Sequence, residues 1–240
     1  MDLGLGGQVV LVVGGTGVIG AQVAQTLVEE GARVVIAARD QGRLDEVAAR
    51  LGTGVSAHVV DTGDDASVAR LVDDVLRDHG RLDGVVITSA PSARTLDSSR
   101  DRDPEQVVTA LDAKAIGFLR VAEAVAPHLA AAGGGRIVGV SGQNARATAS
   151  VTGAVRNTVL ITIAKVLADA YAGTGVGINV VNPGLVSQDA STDAPPVGAA
   201  GESTPAQVAS LITYLVSPAS AAVSGESIAV GHKLRGVASA

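Results

Sequence analysis

Hydrophobic and polar positions along the chain follow two alternating periods. Val9-Val10-Leu11-Val12-Val13 is an unbroken apolar run of strand length, and Ala21 to Glu30 then places Val23, Ala24, Leu27 and Val28 at helical spacing. Val34-Val35-Ile36-Ala37-Ala38 predicts a second strand, followed by a helix from about Gln41 to Leu51. A third strand is read over Val55 to Val60, and a helix over Ser67 to Asp78 with Val68, Leu71, Val72, Val75 and Leu76 on one face. Val85-Val86-Ile87-Thr88 is the fourth strand. Pro104 opens a long helix to about Ala132, which Pro127 is expected to kink or break. Ile137 to Val140, Thr152 to Ala172 and Val176 to Val181 add a strand, a helix and a strand. Strands that are apolar throughout are buried on both faces, so this order implies a parallel sheet covered by helices on both sides. The expected fold is α/β: one doubly wound domain over residues 1–240, with ligands at the carboxyl ends of the strands. Residues 185–203, with Pro195-Pro196, form the long irregular segment. It follows a strand end and reads as a flexible lid.

Composition narrows the function classes. With one Phe, two Tyr and no Trp, the core must be aliphatic. The absence of Cys excludes disulfides and thiolate chemistry. A net charge of −6 without a Lys/Arg cluster argues against nucleic acid as a partner. Met1 to Gly7 lacks the basic start of a signal peptide, and no apolar stretch reads as long and uninterrupted enough to span a bilayer. A cytoplasmic protein with a small-molecule substrate and no membrane partner is expected. His58, His79, His128 and His232 are scattered, so no metal site is expected.

The chemistry starts at Gly14-Gly15-Thr16-Gly17-Val18-Ile19-Gly20, between the first strand and the first helix. Glycines there let the backbone approach a ligand closely, and the first amides of the helix bind a pyrophosphate with help from the helix dipole. NAD-binding turns of this kind place an acid at the end of the second strand to bond the ribose 2′-OH. Here that position is Ala38, and Arg39 follows. A guanidinium clamps a 2′-phosphate that an acid would repel, so NADP(H) is expected over NAD(H).

Over nearly its whole length the chain resembles the short-chain dehydrogenase/reductase family. The resemblance rests on Leu3-Gly4-Leu5-Gly6-Gly7-Gln8-Val9, the glycine turn, Asp61, Leu82-Asp83, Gly135-Arg136-Ile137-Val138, Asn179-Val180-Val181-Asn182-Pro183-Gly184 and Gly225-Glu226-Ser227-Ile228-Ala229-Val230. It implies a Rossmann-like sheet of about seven strands, the last of them at 225–230. It also implies cofactor contacts at Gly14, Thr16, Gly17, Val18, Ile19, Gly20, Arg39, Asp61, Thr62, Ser89, Asn157, Pro183, Gly184 and Val186. In the family, Asp61 would accept from the adenine amino group.

The resemblance fails at the reacting groups. The family's reaction uses a Tyr as general acid/base, a Lys four residues later, a Ser after the fifth strand and an Asn in the fourth helix. Counting back from Asn179–Gly184 puts Gly153 at the Tyr position, Asn157 at the Lys position and Gly142, beside Ser141, at the Ser position. Counting back from Pro127 puts Lys114 at the Asn position. The Asn-rich segment after the fourth strand is replaced by Ile87-Thr88-Ser89-Ala90-Pro91. Asn has become Lys114 while Lys has become Asn157, as if one cation had moved across the site. A desolvated Lys114 would titrate low enough to donate a proton. Ser141 then orients a carbonyl, Asn157 bonds a ribose hydroxyl, and the polar loop Ser141-Gly142-Gln143-Asn144-Ala145-Arg146 lies where substrate would sit.

Three functions fit this pattern. The first is an NADP(H)-dependent oxidoreductase acting on a carbonyl or alcohol with a rearranged acid/base. The second is a non-redox isomerase, lyase or cyclase on the same fold, and the third a catalytically silent nucleotide-binding sensor or partner subunit. The retained turn and Arg39 favour the first two. Small residues at Ala122, Ala124 and Ala126 and at Ala164, Ala168 and Ala172, with the resemblance, predict a homotetramer or homodimer.

Overall fold

A computed structural model describes residues 2–90, 95–147 and 149–237. Pro91 lies outside them. The first apolar run forms β1 (Val9–Val13), buried at every position. Its alternate residues face opposite ways, so that one strand feeds two cores. Val9, Leu11 and Val13 pack with α3 (Asp65–His79), α5 (Gly117–Ala131) and α6 (Val151–Ala170). Val10 and Val12 pack with α1 (Val18–Glu29), α2 (Gln41–Leu51) and α7 (Pro205–Val216). The remaining strands of the sheet are β2 (Arg33–Ala38), β3 (Val55–Val59), β4 (Gly84–Ile87), β5 (Gly135–Val140), β6 (Val176–Pro183) and β9 (Ser227–Val230). Their order is β3-β2-β1-β4-β5-β6-β9, with every pair parallel. The chain therefore winds outward from β1 to β3, then returns to β4 and winds the other way. This is the expected doubly wound, Rossmann-like sheet, and its switch point opens a crevice at the carboxyl ends of β1 and β4.

Three local differences follow from specific residues. The long helix predicted from Pro104 is α4 (Pro104–Leu111), a π-helical turn at Asp112–Ile116, and α5. The irregularity falls at that turn, while α5 runs through Pro127 to Ala131 because Val121, Ala122, Val125, Ala126 and Leu129 hold it in the core. Helix α3 begins at Asp65, two residues before the expected Ser67, because the Asp64 side chain accepts from Ala66 N and caps it. Residues 185–203 are not irregular at their ends: β7 (Leu185–Val186) pairs in parallel with β8 (Glu202–Ser203), clasping the segment.

Helix α6 also corrects the reading of apolar stretches. It is 20 residues long, and an 18-residue window within it has a mean hydropathy of 1.4, long and apolar enough to cross a membrane. In the fold, Leu160, Ala164, Leu167 and Ala168 are buried against the sheet.

Candidate functional site

The crevice at the switch point is a cleft of about 1040 Å³. Gly14 forms its floor with φ +85°, and a Cβ there would lie 2.7 Å from Ser89 N and 2.5 Å from Thr88 Oγ1. The backbones of the β1 and β4 exits therefore meet too closely for a side chain. Thr88 Oγ1 donates within this contact, 3.1 Å from both Val13 O and Gly14 O. Gly20 is equally constrained: a Cβ on it would sit 2.2 Å from Gly14 O, so helix α1 can start only against bare backbone. Gly17 is the N-cap of α1 and supplies no capping side chain. The first-turn amides of Val18, Ile19 and Gly20 are thus left for an anion.

The cleft brings together Gly14, Thr16, Gly17, Arg39, Asp61, Thr62 and Ser89 of the expected cofactor residues. Val18, Ile19, Gly20, Asn157, Pro183, Gly184 and Val186 do not line it. Val18 is largely exposed and Asn157 is buried. Asp61 accepts from Gly63 N at 2.9 Å, which folds the loop after β3 into the cleft wall. Gly117 lets α5 approach that loop, since a Cβ there would meet Thr62 Oγ1 at 3.1 Å. The residues present fit a dinucleotide: Ser89 Oγ is buried in this cleft wall without a hydrogen-bond partner among the described residues, and the glycine floor is a cradle that a Cβ would fill. Sequence reasoning missed Arg43, which lines the cleft with Arg39. Its signal was present, because a residue just inside α2 and close behind Arg39 presents its side chain to the same strand end. Asp40 also lines the cleft, but its carboxylate accepts from Arg43 N as the α2 N-cap.

The three expected catalytic residues form one hydrogen-bonded chain. Lys114 Nζ donates to Ser141 O at 2.9 Å, and Ser141 Oγ donates to Asn157 O at 2.9 Å, with Asn157 Oδ1 at 3.4 Å. All three are buried. The π-helical turn carries Lys114, and the Gly117 amide reaches back five residues to Asp112 O across it. Such turns recur at functional sites because one inserted residue re-aims a side chain. Asp112 and Ala113, just before Lys114, line the cleft. Burial lowers the Lys114 ammonium to a pKa of about 7, and the nearby Arg156 guanidinium adds to the effect. Arg156 is itself buried. Gly142 has a structural reason beside Asn157: a Cβ there would meet Asn157 Nδ2 at 3.3 Å.

Two expectations about this end need correction. The Ser141 hydroxyl is committed to a helix carbonyl rather than to open space, because α6 packs directly over the end of β5. The loop after it does not present all its polar groups to substrate either. Gln143 is buried, with Nε2 donating to Val230 O at 3.1 Å and His232 O at 3.3 Å, while Asn144 and Arg146 are exposed. Nor is Gly153 merely empty. A Cβ there would lie 2.9 Å from Ser150 Oγ, which caps α6 by accepting from Gly153 N at 2.8 Å. The Ser150 hydroxyl donates in turn to Asp101, whose carboxylate also accepts from Val151 N at 2.8 Å. These bonds hold the Asp101 carboxyl below its usual range, the Ser150 bond foremost. No Tyr in the chain has a Lys four residues later: Gly175 follows Tyr171 and Pro218 follows Tyr214 at that spacing.

Comparison with known proteins agrees with this geometry. The family model described as enoyl-(acyl carrier protein) reductase matches residues 15–232. An uncharacterised oxidoreductase of Staphylococcus epidermidis is 34% identical over 187 residues, covering 75% of this chain and 78% of that protein. D-threitol dehydrogenase of Mycolicibacterium smegmatis is 28% identical over 244 residues, covering 95% and 93%. A short-chain type dehydrogenase/reductase from Mycobacterium ulcerans superposes with a TM-score of 0.80 at 26% identity, over 94% of this chain and 89% of that one.

Proposed function

The chain belongs to the short-chain dehydrogenase/reductase family, whose members bind a nicotinamide cofactor, and on that premise we propose that it is an NADP(H)-dependent oxidoreductase acting on a small-molecule carbonyl or alcohol, with Lys114 as its acid/base. The observation that carries this reading is the placement of Lys114: a buried ammonium, hydrogen-bonded to Ser141 O, on the turn that also borders the cofactor cleft. When bound, the dinucleotide supplies or accepts the hydride. Lys114 handles the proton. In reduction its ammonium releases a proton to the carbonyl oxygen that gains an electron pair, and in oxidation the neutral amine takes it back. A pKa of about 7 leaves both forms populated near neutrality. One bond to Ser141 O leaves two of the three ammonium hydrogens for substrate. Ser141 positions the Lys114 ammonium through its backbone carbonyl while its hydroxyl stays on Asn157 O, and Asn157 serves the ribose as a neutral donor.

Preference for NADP(H) is supported by Arg39 and Arg43 at the cleft wall, where Ala38 offers no acid to a 2′-OH. Gly14, Thr16, Gly17 and the first-turn amides of α1 hold the pyrophosphate, Asp61 and Thr62 flank the adenine, and Ser89 meets the nicotinamide half. The same reading extends to a symmetric homodimer or homotetramer in the cytoplasm. Val151 and Val166 on α6 and Val108 on α4 are exposed, which suits a face covered by a second copy. The test pairs NADPH and NADH titrations with hydride exchange on a panel of carbonyl compounds, using wild type and Lys114→Met. NADPH binding with carbonyl turnover that depends on Lys114 is expected. Nucleotide binding without hydride exchange on any compound would move the protein to the non-redox or silent class.

A further inference from the structure

We propose that Gln143 is a positioning residue that ties the loop after Ser141 to both ends of the 185–203 segment, so that this segment and the Ser141 end of the site move as one unit. The role in turnover rests on the oxidoreductase reading above; the coupling itself does not. Gln143 is 5% exposed, and its Nε2 reaches the carbonyls of Val230 and His232 at the exit of β9. Those same two carbonyls also receive the amides that bracket the segment: Gly184 N to Val230 O at 3.4 Å and Gly201 N to His232 O at 2.8 Å. Gly184 precedes β7 and Gly201 precedes β8. One side-chain amide thus shares its acceptors with both entrances.

Around the Gln143 amide the junction is mostly backbone. A Cβ on Gly184 would lie 2.1 Å from Gly201 O, and one on Gly201 would lie 2.5 Å from His232 N. Gly231, between the two shared carbonyls, has φ +78° and passes 2.9 Å from Gly201 O at its Cβ position. Beyond the junction the chain continues along the segment. Gly198 N donates to Arg235 O at 2.8 Å, Arg235 N to Ala199 O at 2.9 Å, and Arg235 Nη1 to Pro195 O at 3.0 Å. Residues 230–235 therefore strap the segment from its β8 end to its Pro-rich middle, and Gln143 fastens that strap to the loop two residues past Ser141. The glutamine amide suits this role. Bridging two carbonyls from one nitrogen needs an NH₂ with both hydrogens directed outward, which neither an ionised carboxylate nor a thioether provides.

Amide hydrogen exchange on wild type and Gln143→Met is the test, because it needs no substrate. At least tenfold faster exchange is expected at Gly184, Ser187 and Gly201, with the amides of β1 and β4 unchanged. Unchanged exchange at those three positions in a folded Gln143→Met would overturn the proposal. If the variant does not fold, native-state exchange of wild type in low denaturant decides: Gly184 and Gly201 should open with one common free energy, and clearly different values would overturn it. NADPH affinity of the variant should stay within about twofold of wild type, and its loss would place Gln143 in the cofactor site instead. On any carbonyl that wild type reduces, kcat/KM for that compound should fall at least tenfold while the KM for NADPH holds. If neither protein reduces any compound but the exchange result stands, the oxidoreductase reading fails and the coupling survives.

Discussion

At the β1–β4 end of the sheet, the site is built chiefly from main chain: a glycine floor at Gly14, a bare helix start at Gly17, and Gly20 pressed against Gly14 O. At the β5–β6 end it is built from side chains, with Lys114, Ser141, Asn157 and Arg156 buried in contact or near it. The first end keeps a glycine turn between β1 and α1, with Val18 inside it, and the second contains no Tyr followed four residues later by Lys. A backbone cradle tolerates little change, because any Cβ collides with neighbouring main chain that cannot move aside. A side-chain constellation can be exchanged if each new group finds a partner and a volume. Here the groups present are mutually consistent: Gly142 leaves room for Asn157, Gly153 leaves room for the Ser150 cap, and Lys114 is a buried cation bonded to Ser141 O.

The largest test of the contrast is Lys114→Met. If the side-chain end carries the chemistry and the backbone end only holds the cofactor, turnover on a proven substrate should fall by about 10²–10⁴-fold, the loss typical of a missing general acid. NADPH affinity should barely change. Wild-type turnover in the variant would mean that the proton comes from water or substrate and that Lys114 is structural.

Next in size is the attempt to restore the family pattern. Gly153→Tyr with Asn157→Lys should not yield an efficient carbonyl reductase, for two physical reasons. A side chain at 153 displaces the Ser150 hydroxyl from the α6 N-cap, at a cost of about 1 kcal/mol. A lysine at 157 also joins Lys114 and Arg156, and close like charges disfavour one another. Adding Lys114→Asn should recover activity in the triple variant. Steady-state rates of double and triple variants side by side give the answer, and equal rates would place Lys114 outside the site.

The contrast also explains what was legible in the sequence. The sheet could be read directly, because fully buried strands are continuous apolar runs and the helices between them keep their faces. The glycine turn was legible for a related reason: backbone constraint leaves glycine as its only trace. The π-helical turn at Asp112–Ile116 was not, since its residues continue an ordinary helical pattern and only tertiary packing selects the extra residue. The commitment of Ser141 to Asn157 O and of Gln143 to Val230 O and His232 O was likewise invisible. Nothing local distinguishes a polar loop facing substrate from one whose amide is buried against carbonyls distant in sequence.

A smaller effect probes the backbone end. Arg39→Ala should weaken NADPH binding by about tenfold or more, the equivalent of a charge-assisted contact of roughly 1.5–3 kcal/mol, while leaving NADH nearly unchanged. Arg43 shares the cleft wall, so Arg43→Ala should show the same selectivity, measured by fluorescence titration of both nucleotides. Equal affinities of wild type for NADPH and NADH would remove the 2′-phosphate argument for both residues.

The smallest effect concerns stability, and it sets the two ends apart without any ligand. Lys114 titrates near 7 when folded, below its ordinary value of 10.5, chiefly because burial disfavours its charge. Between those two values the unfolded chain binds more protons than the folded one, so wild-type stability rises with pH across that window. Below about 7 the folded protein carries the buried charge at full cost. Lys114→Met removes this dependence, giving up one hydrogen bond to Ser141 O worth about 1 kcal/mol. The variant should therefore be favoured over wild type most at pH 6 and least at pH 9. Each kcal/mol corresponds to roughly 2–4 °C in Tm for a domain of this size. Urea unfolding of both proteins at the two pH values measures the difference. A gap that is the same at pH 6 and pH 9 would show that Lys114 is charged throughout, and the side-chain end would then lack a group able to release a proton near neutrality.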